Sequence, residues 1–218
     1  MKKGLTELVF ILDRSGSMAG LESDTIGGFN GMLQKQKKEN GVANVTTVLF
    51  DDRYELLHDH QSIDSIALMT EKQYYVRGCT ALFDAMGKAI QKMVNIQKST
   101  KDEEKAEKVI FVIITDGLEN ASREYTCDRL KSMIKCQTDR YGWEFIFLGA
   151  NMDAVQEAAR FGIQEDRSVT FSNDSAGQAL NYEVISETVS TMRACSHRVG
   201  SDWKRRIEKD FASRRKDS

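Results

Sequence analysis

The sequence predicts an α/β fold: a doubly wound, mostly parallel six-stranded sheet with one antiparallel edge strand and helices on both faces. Three observations carry this. Short runs rich in Val, Ile and Phe alternate with amphipathic stretches from one end of the 218-residue chain to the other. Those runs are apolar on both faces, as strands covered by helices on either side must be. One segment departs from the pattern, a polar alternating stretch after Asp51-Asp52-Arg53 that suits a sheet edge.

The elements follow in order. Leu8 to Leu12 forms a first strand and Leu21 to Glu39 a helix. Val42 to Phe50 is the second strand, and Asp51-Asp52-Arg53 turns the chain through a hairpin into the antiparallel edge strand, which ends near Gln61. Helices come next, the clearest marked by Ala81-Leu82, Ala85-Met86, Ala89-Ile90 and Met93-Val94, apolar pairs repeating every four residues. The charge-dense stretch Lys98 to Lys108 reads as a solvated connection. Three strand-helix units complete the chain: Val109 to Ile114 with Cys127 to Tyr141, Phe145 to Leu148 with Met152 to Phe161, and Val169 to Phe171 with Ser175 to about Cys195. Residues 1–200 form the domain and 201–218 a basic C-terminal helix or tail. From Asp202 to Ser218 seven basic residues face four acidic ones, with Trp203 and Phe211 interleaved. A partly packed terminal helix with a frayed end is the plainer reading of this tail, and nucleic-acid docking the alternative.

Composition narrows the function. With 31 Lys plus Arg against 33 Asp plus Glu, the net charge of -2 provides no global field for nucleic acid or anionic lipid, so any ligand is bound locally. There is no proline, which removes proline-rich linkers and any device built on a cis-proline. No run reaches the ~18 apolar residues of a membrane span. The apolar run behind Met1-Lys2-Lys3 stops at Asp13, too short for a signal peptide, and a cytoplasmic location is expected. Cys79, Cys127, Cys136 and Cys195 show no CxxC spacing and read as reduced thiols.

In an open parallel sheet, ligands sit beyond the carboxyl ends of the strands. The first strand ends in Asp13-Arg14-Ser15-Gly16-Ser17-Met18, and the strand Val109 to Ile114 leads into Thr115-Asp116-Gly117. Between them, Gly78-Cys79-Thr80-Ala81-Leu82 opens the strongest helical pattern. Singly, each has a local explanation, as a helix cap or a turn. Together they place D-x-S-x-S, then Thr, then Asp, along one α/β chain.

In that order these residues resemble the von Willebrand factor A domain and its metal-ion-dependent adhesion site (MIDAS), and the likeness extends over nearly the whole chain. It implies a Rossmann-like fold and a cation held by Asp13, Ser15, Ser17, Thr80 and Asp116. All five contacts would be oxygens, which suits a hard cation, Mg²⁺ first, with Mn²⁺ and Ca²⁺ as alternatives. The resemblance also implies that a Glu or Asp carboxylate of a protein partner completes the coordination. Asp116-Gly117-Leu118-Glu119-Asn120-Ala121-Ser122 and Phe147-Leu148-Gly149-Ala150-Asn151 look like a compact bacterial or phage branch, cytoplasmic relatives of which work beside AAA+ ATPases, kinases or phosphatases. The expected function is thus a non-enzymatic, divalent-cation-dependent adaptor. Cys79 departs from the Gly common before the family's Thr.

Other chemistries are less well served. A haloacid dehalogenase-type phosphatase needs a second Asp where Ser15 stands, and neither a phosphate-cradling glycine motif nor G-x-S-x-G is present. The competing enzymatic reading is a metal-dependent hydrolase or phosphotransferase with Asp51 or Asp52 as base, although a turn role suits both. His58 and His60 flank Asp59 and are expected to be exposed hairpin residues; His197, near the end of the last long helix, suits the helix dipole. Asp84 is expected to complement a dipole or orient the Thr80 loop.

Overall fold

The computed structural model describes residues 1–150, 152–195 and 198–214. Its strands are β1 (Lys2–Asp13), β2 (Val42–Phe50), β3 (Tyr54–Ser62), β4 (Ala106–Thr115), β5 (Glu144–Ala150) and β6 (Ser168–Phe171); its helices are α1 (Glu22–Lys37), α2 (Leu82–Ser99), α3 (Cys127–Tyr141), α4 (Ala154–Arg160), α5 (Ser175–Ala194) and α6 (Arg205–Arg214). The strands order as β3-β2-β1-β4-β5-β6. Only the β2–β3 pair is antiparallel.

Period-two alternation divides the core. Leu8, Phe10 and Leu12 of β1, with Ile110, Val112 and Ile114 of β4, face the layer that holds Phe29 of α1 and Ile185 of α5. Val9, Ile11, Phe111 and Ile113 face the opposite layer, where Met86 and Ile90 of α2 meet Leu130 of α3. Both central strands are thereby buried on both faces, which explains their unbroken apolar runs.

Several expectations change. β1 and β4 extend beyond their apolar cores because Lys2 pairs with Ala106 across the sheet. Helices were expected between the edge strand and the next strand, but only α2 forms there, and residues 63–81 hold none. That segment instead folds back over the sheet and buries Ile63, Ile66, Met69 and Tyr74. The fold-back also buries His58, which was expected to be exposed: its ring bonds Thr47 Oγ1 and the Ala67 carbonyl, both at 2.9 Å. Lys98 to Lys108 is only in part a solvated connection. Its first residues end α2, its last open β4, and Lys108 Nζ donates to the carbonyls of Met192, Arg193 and Cys195 at the end of α5. Beyond α5, Ile207 of α6 is buried in the core and Trp203 packs against it. Asn151, His197 and 215–218 lie outside the described residues, so the dipole role expected of His197 does too. Among the described residues no helix is long and apolar enough to cross a membrane.

Candidate metal centre

Strand order reverses between β1 and β4, so the crevice beyond their carboxyl ends is the topological switch point of the sheet. β1 delivers Asp13 to that crevice and β4 delivers Thr115 and Asp116. The Asp13 carboxylate is buried; Oδ1 accepts from the Ser15 N–H at 2.7 Å and Oδ2 from Thr115 Oγ1 at 2.6 Å. A short 3-10 turn, Gly16–Met18, follows, and the Ser15 hydroxyl caps nothing in it. It lies 3.1 Å from Ser17 Oγ, which donates to Asp116 Oδ1 at 2.5 Å. A Cβ placed on Gly117 would come within 2.7 Å of Thr80 Oγ1 and 3.4 Å of Ser17 Oγ, so the Thr80 hydroxyl belongs to the same cluster. The fold therefore gathers all five residues singled out from the sequence.

The electrostatics fit a cation. Burial pushes the Asp13 carboxyl up to about 6 from its ordinary 3.8, against the lowering effect of its hydrogen bonds from Thr115 and Ser15. Burial raises Asp116 as well. Neither carboxylate has an ion-pair partner among the described residues, although buried charge is costly without one. Among those residues no three His, Cys, Asp or Glu side chains gather. Two carboxylates and three hydroxyls form an all-oxygen donor set suited to a hard divalent ion. Asp13, Ser15, Ser17, Thr80 and Asp116 are the residues that would hold it.

A second layer fixes these loops. Arg14, between two of the five, is fully buried; its Nε donates to Asp51 Oδ2 at 3.0 Å and its Nη2 to Glu55 Oε2 at 2.6 Å. Arg77 Nε also reaches Asp51 Oδ2, at 2.6 Å. Burial pushes the Asp51 carboxyl up, but the Arg77 hydrogen bond, the Arg53 N–H and the charges of Arg14 and Arg77 outweigh it and hold Asp51 below the usual carboxylate range. Asp51 thus clamps the Ser15–Ser17 loop to the segment approaching Thr80, and Gly16 N–H donating to the Gly78 carbonyl at 3.2 Å adds a second tie. Gly78 has φ +67°, where a side chain would be strained and would also meet the Asp52 carboxylate. Tyr74 donates its hydroxyl to the Asp13 carbonyl at 2.5 Å.

The loop between β4 and α3 holds Thr80 from the other side. Asn120 Oδ1 accepts the Thr80 N–H at 3.0 Å, while the Thr80 carbonyl accepts from Asn120 and Ala121. Glu119 accepts the N–H groups of Phe83, Ala121 and Ser122. The Asp84 carboxylate accepts three N–H groups, of Arg123, Glu124 and Tyr125, so it orients this loop. Asn173, just beyond β6, donates to Asp116 Oδ2 at 2.9 Å. The sequence did not single out Arg14, Tyr74, Asn120 or Asn173 as contributors. Only Arg14 carried a signal, because a charge at the buried end of an apolar strand requires a partner.

No protein-family model matches the chain, and no curated protein sequence does. Solved structures do. The vWF domain of the type V pili tip protein Mfa5 from Porphyromonas gingivalis superposes with a TM-score of 0.61 at 11% identity, covering 89% of this chain and 98% of that one. Manganese-loaded TRAP protein of Plasmodium vivax gives 0.53 at 16% identity, covering 83% and 73%. Proximal thread matrix protein 1 from the mussel byssus, with a zinc-occupied MIDAS motif, gives 0.57 at 16%, covering 86% of this chain and 46% of that one. This chain therefore spans about half the length of the byssus protein. With its six-stranded, mostly parallel sheet, single antiparallel edge and flanking helices, the chain has the fold of von Willebrand factor A domains.

Proposed function

We propose that the chain is a divalent-cation-dependent protein-interaction module, with Mg²⁺ or Mn²⁺ at the five-oxygen cluster and a Glu or Asp carboxylate of a partner protein as its ligand. The observation that carries this reading is the pair of buried carboxylates, Asp13 and Asp116, facing three hydroxyls with no countercharge of their own. A divalent cation bound there supplies an electrophilic position that three neutral hydroxyls quench little. Ser15, Ser17 and Thr80 contribute neutral oxygens; Asp13 and Asp116 contribute charge; Asn173 and Thr115 fix the orientation of those carboxylates. The metal-loaded state of the TRAP structure and the zinc-occupied MIDAS of the byssus protein support the same reading by likeness of fold.

The enzymatic alternative has less support. Of its two candidate bases, Asp51 is taken up by Arg14 and Arg77 and held ionised below the usual range, which makes it a weak base. Asp52 is exposed beside Gly78 with no cation partner among the described residues, so the reading rests on it alone, and turnover of phosphoesters with Mn²⁺ that Asp52→Asn abolishes would favour it. Among the described residues of the C-terminal helix, Arg206 is answered by Glu183 and Glu187 and Arg205 by Asp202, which lowers the field that this helix offers a nucleic acid. The test is thermal unfolding with Mg²⁺, Mn²⁺ or chelator. The reading expects a rise in Tm with either ion that Asp13→Ala and Asp116→Ala abolish. No shift, or a shift both variants retain, refutes it.

A further inference from the structure

At the end of the sheet opposite the five-oxygen cluster, side chains of three adjacent strands converge, and we infer that Glu7 of β1, Asn44 of β2 and His60 of β3 form a second metal site, for Zn²⁺. The site is separate from the function proposed above, because the step along β1 from Glu7 to Asp13 is about 20 Å.

The backbone brings the imidazole there. Side chains two apart on a strand share a face. His58, however, stacks on Phe29 in the α1 layer, while His60 reaches Glu7, which shares the α2 face of β1 with Val9 and Ile11. An extra residue on β3 accounts for this: Gln61 pairs with Val45 and His58 with Thr47, three steps against two. Within that bulge His60 takes φ +49°, in the left-handed region that a side chain adopts at a cost. Such cost is met where a side chain is re-aimed for a purpose.

The three side chains close a triangle. Glu7 Oε1 lies 2.9 Å from Asn44 Nδ2 and 3.1 Å from His60 Nε2, and Asn44 Nδ2 lies 3.2 Å from His60 Nε2. Hydrogen bonds cannot satisfy all three sides. The amide nitrogen only donates and the carboxylate only accepts, so a protonated Nε2 opposes the amide hydrogens and an unprotonated one opposes the carboxylate. Turning the amide over sets its oxygen against Glu7 Oε1 instead. A cation between the three satisfies them together, with Asn44 presenting Oδ1. Donor atoms on a first-row ion with bonds of about 2.0–2.1 Å stand about 2.9–3.4 Å apart, which is the size of this triangle. The Glu7 side chain is buried and its Oε2 has no partner among the described residues, so a bidentate carboxylate supplies a fourth donor. Lys92, whose charge reaches His60, is answered by Asp59 at 2.6 Å. An imidazole nitrogen among oxygens suits Zn²⁺ and leaves Mn²⁺, low in the first-row affinity order, to the five-oxygen cluster. Bound there, the ion clasps the edge strand β3 to β1 across β2.

The test titrates the full chain carrying Asp116→Ala, which disables the five-oxygen cluster, with Zn²⁺ by calorimetry, and follows the histidine ring protons by NMR. One Zn²⁺ per chain is expected, with the His60 ring shifted and the His58 ring, held by Thr47 and Ala67, unmoved. His60→Gly, which suits the left-handed backbone, and the isosteric Glu7→Gln should each weaken Zn²⁺ binding at least tenfold. Absence of Zn²⁺ binding, a His60 ring that Zn²⁺ leaves unshifted, or wild-type affinity in either variant overturns this inference and leaves the proposed function standing.

Discussion

Replacing Asp13 by Asn should stabilise the metal-free protein while abolishing its response to metal. The Asp13 carboxyl titrates at about 6 in the fold against an ordinary 3.8, because burial disfavours its charged form. At 1.36 kcal/mol per pH unit, keeping it ionised in the folded state costs about 3 kcal/mol. The sign follows from proton linkage. The folded state binds this proton more tightly than the unfolded state, so the group's contribution is most favourable below 3.8, declines between 3.8 and about 6, and is flat above. The amide preserves the local bonding. Its oxygen still accepts the Ser15 N–H, and its NH₂ donates to Thr115 Oγ1, whose own hydrogen has the Gly117 carbonyl at 3.1 Å. Urea denaturation in chelator should then show Asp13→Asn more stable by about 1–3 kcal/mol at pH 7.5, since the amide also bears some desolvation cost. At pH 4 the gain should vanish. Added Mg²⁺ should reverse the order, because the wild type gains about 4.1 kcal/mol at about a thousand times its Kd and the variant gains nothing. A variant less stable than wild type at pH 7.5 in chelator, or an equal difference at both pH values, refutes the reasoning.

Other perturbations follow from the same geometry. Gly117→Ala places a methyl 2.7 Å from Thr80 Oγ1 and should weaken Mn²⁺ binding at least tenfold by calorimetry, with a smaller effect on Tm. Asp51→Asn leaves the buried Arg14 guanidinium without its main countercharge, so it should cost about 3 kcal/mol in denaturation and lower metal affinity by loosening both loops. The two hairpin histidines should titrate in opposite directions, which NMR of their ring protons reads. Burial holds His58 below 6.5, so stability it contributes is lost as pH falls through that range. The Glu7 hydrogen bond holds His60 above 6.5, so stability from that pair is present at low pH and lost as pH rises through the folded value.

What the residues disclosed in advance was local chemistry and periodicity. The strand runs were legible because helices cover both faces of β1 and β4, and D-x-S-x-S was legible because its residue types recur at fixed spacing on one loop. Residues 63–81 were not, since their apolar side chains follow no single period: Ile63, Ile66, Met69 and Tyr74 enter the core from irregular backbone. That same fold-back decided His58, whose burial depends on a carbonyl nine residues away. The supports of the site, Asn173 on Asp116 and Asn120 on Thr80, join segments 57 and 40 residues apart in sequence. Such contacts follow from sheet order, and no motif announces them. Asp51 was legible in part: its position suggested a turn, which its bond from the Arg53 N–H fits, but its ties to Arg14 and Arg77 depend on segments distant in sequence.

The central claim is that five oxygens from three loops hold one divalent cation. Mn²⁺ titration followed by electron paramagnetic resonance tests it most directly. The account predicts one Mn²⁺ per chain, displaced by Mg²⁺ and lost in both Ser17→Ala and Asp116→Ala, with the variants still folded by circular dichroism. Absence of bound Mn²⁺ in the wild type, or stoichiometric Mn²⁺ retained by Asp116→Ala, would contradict it.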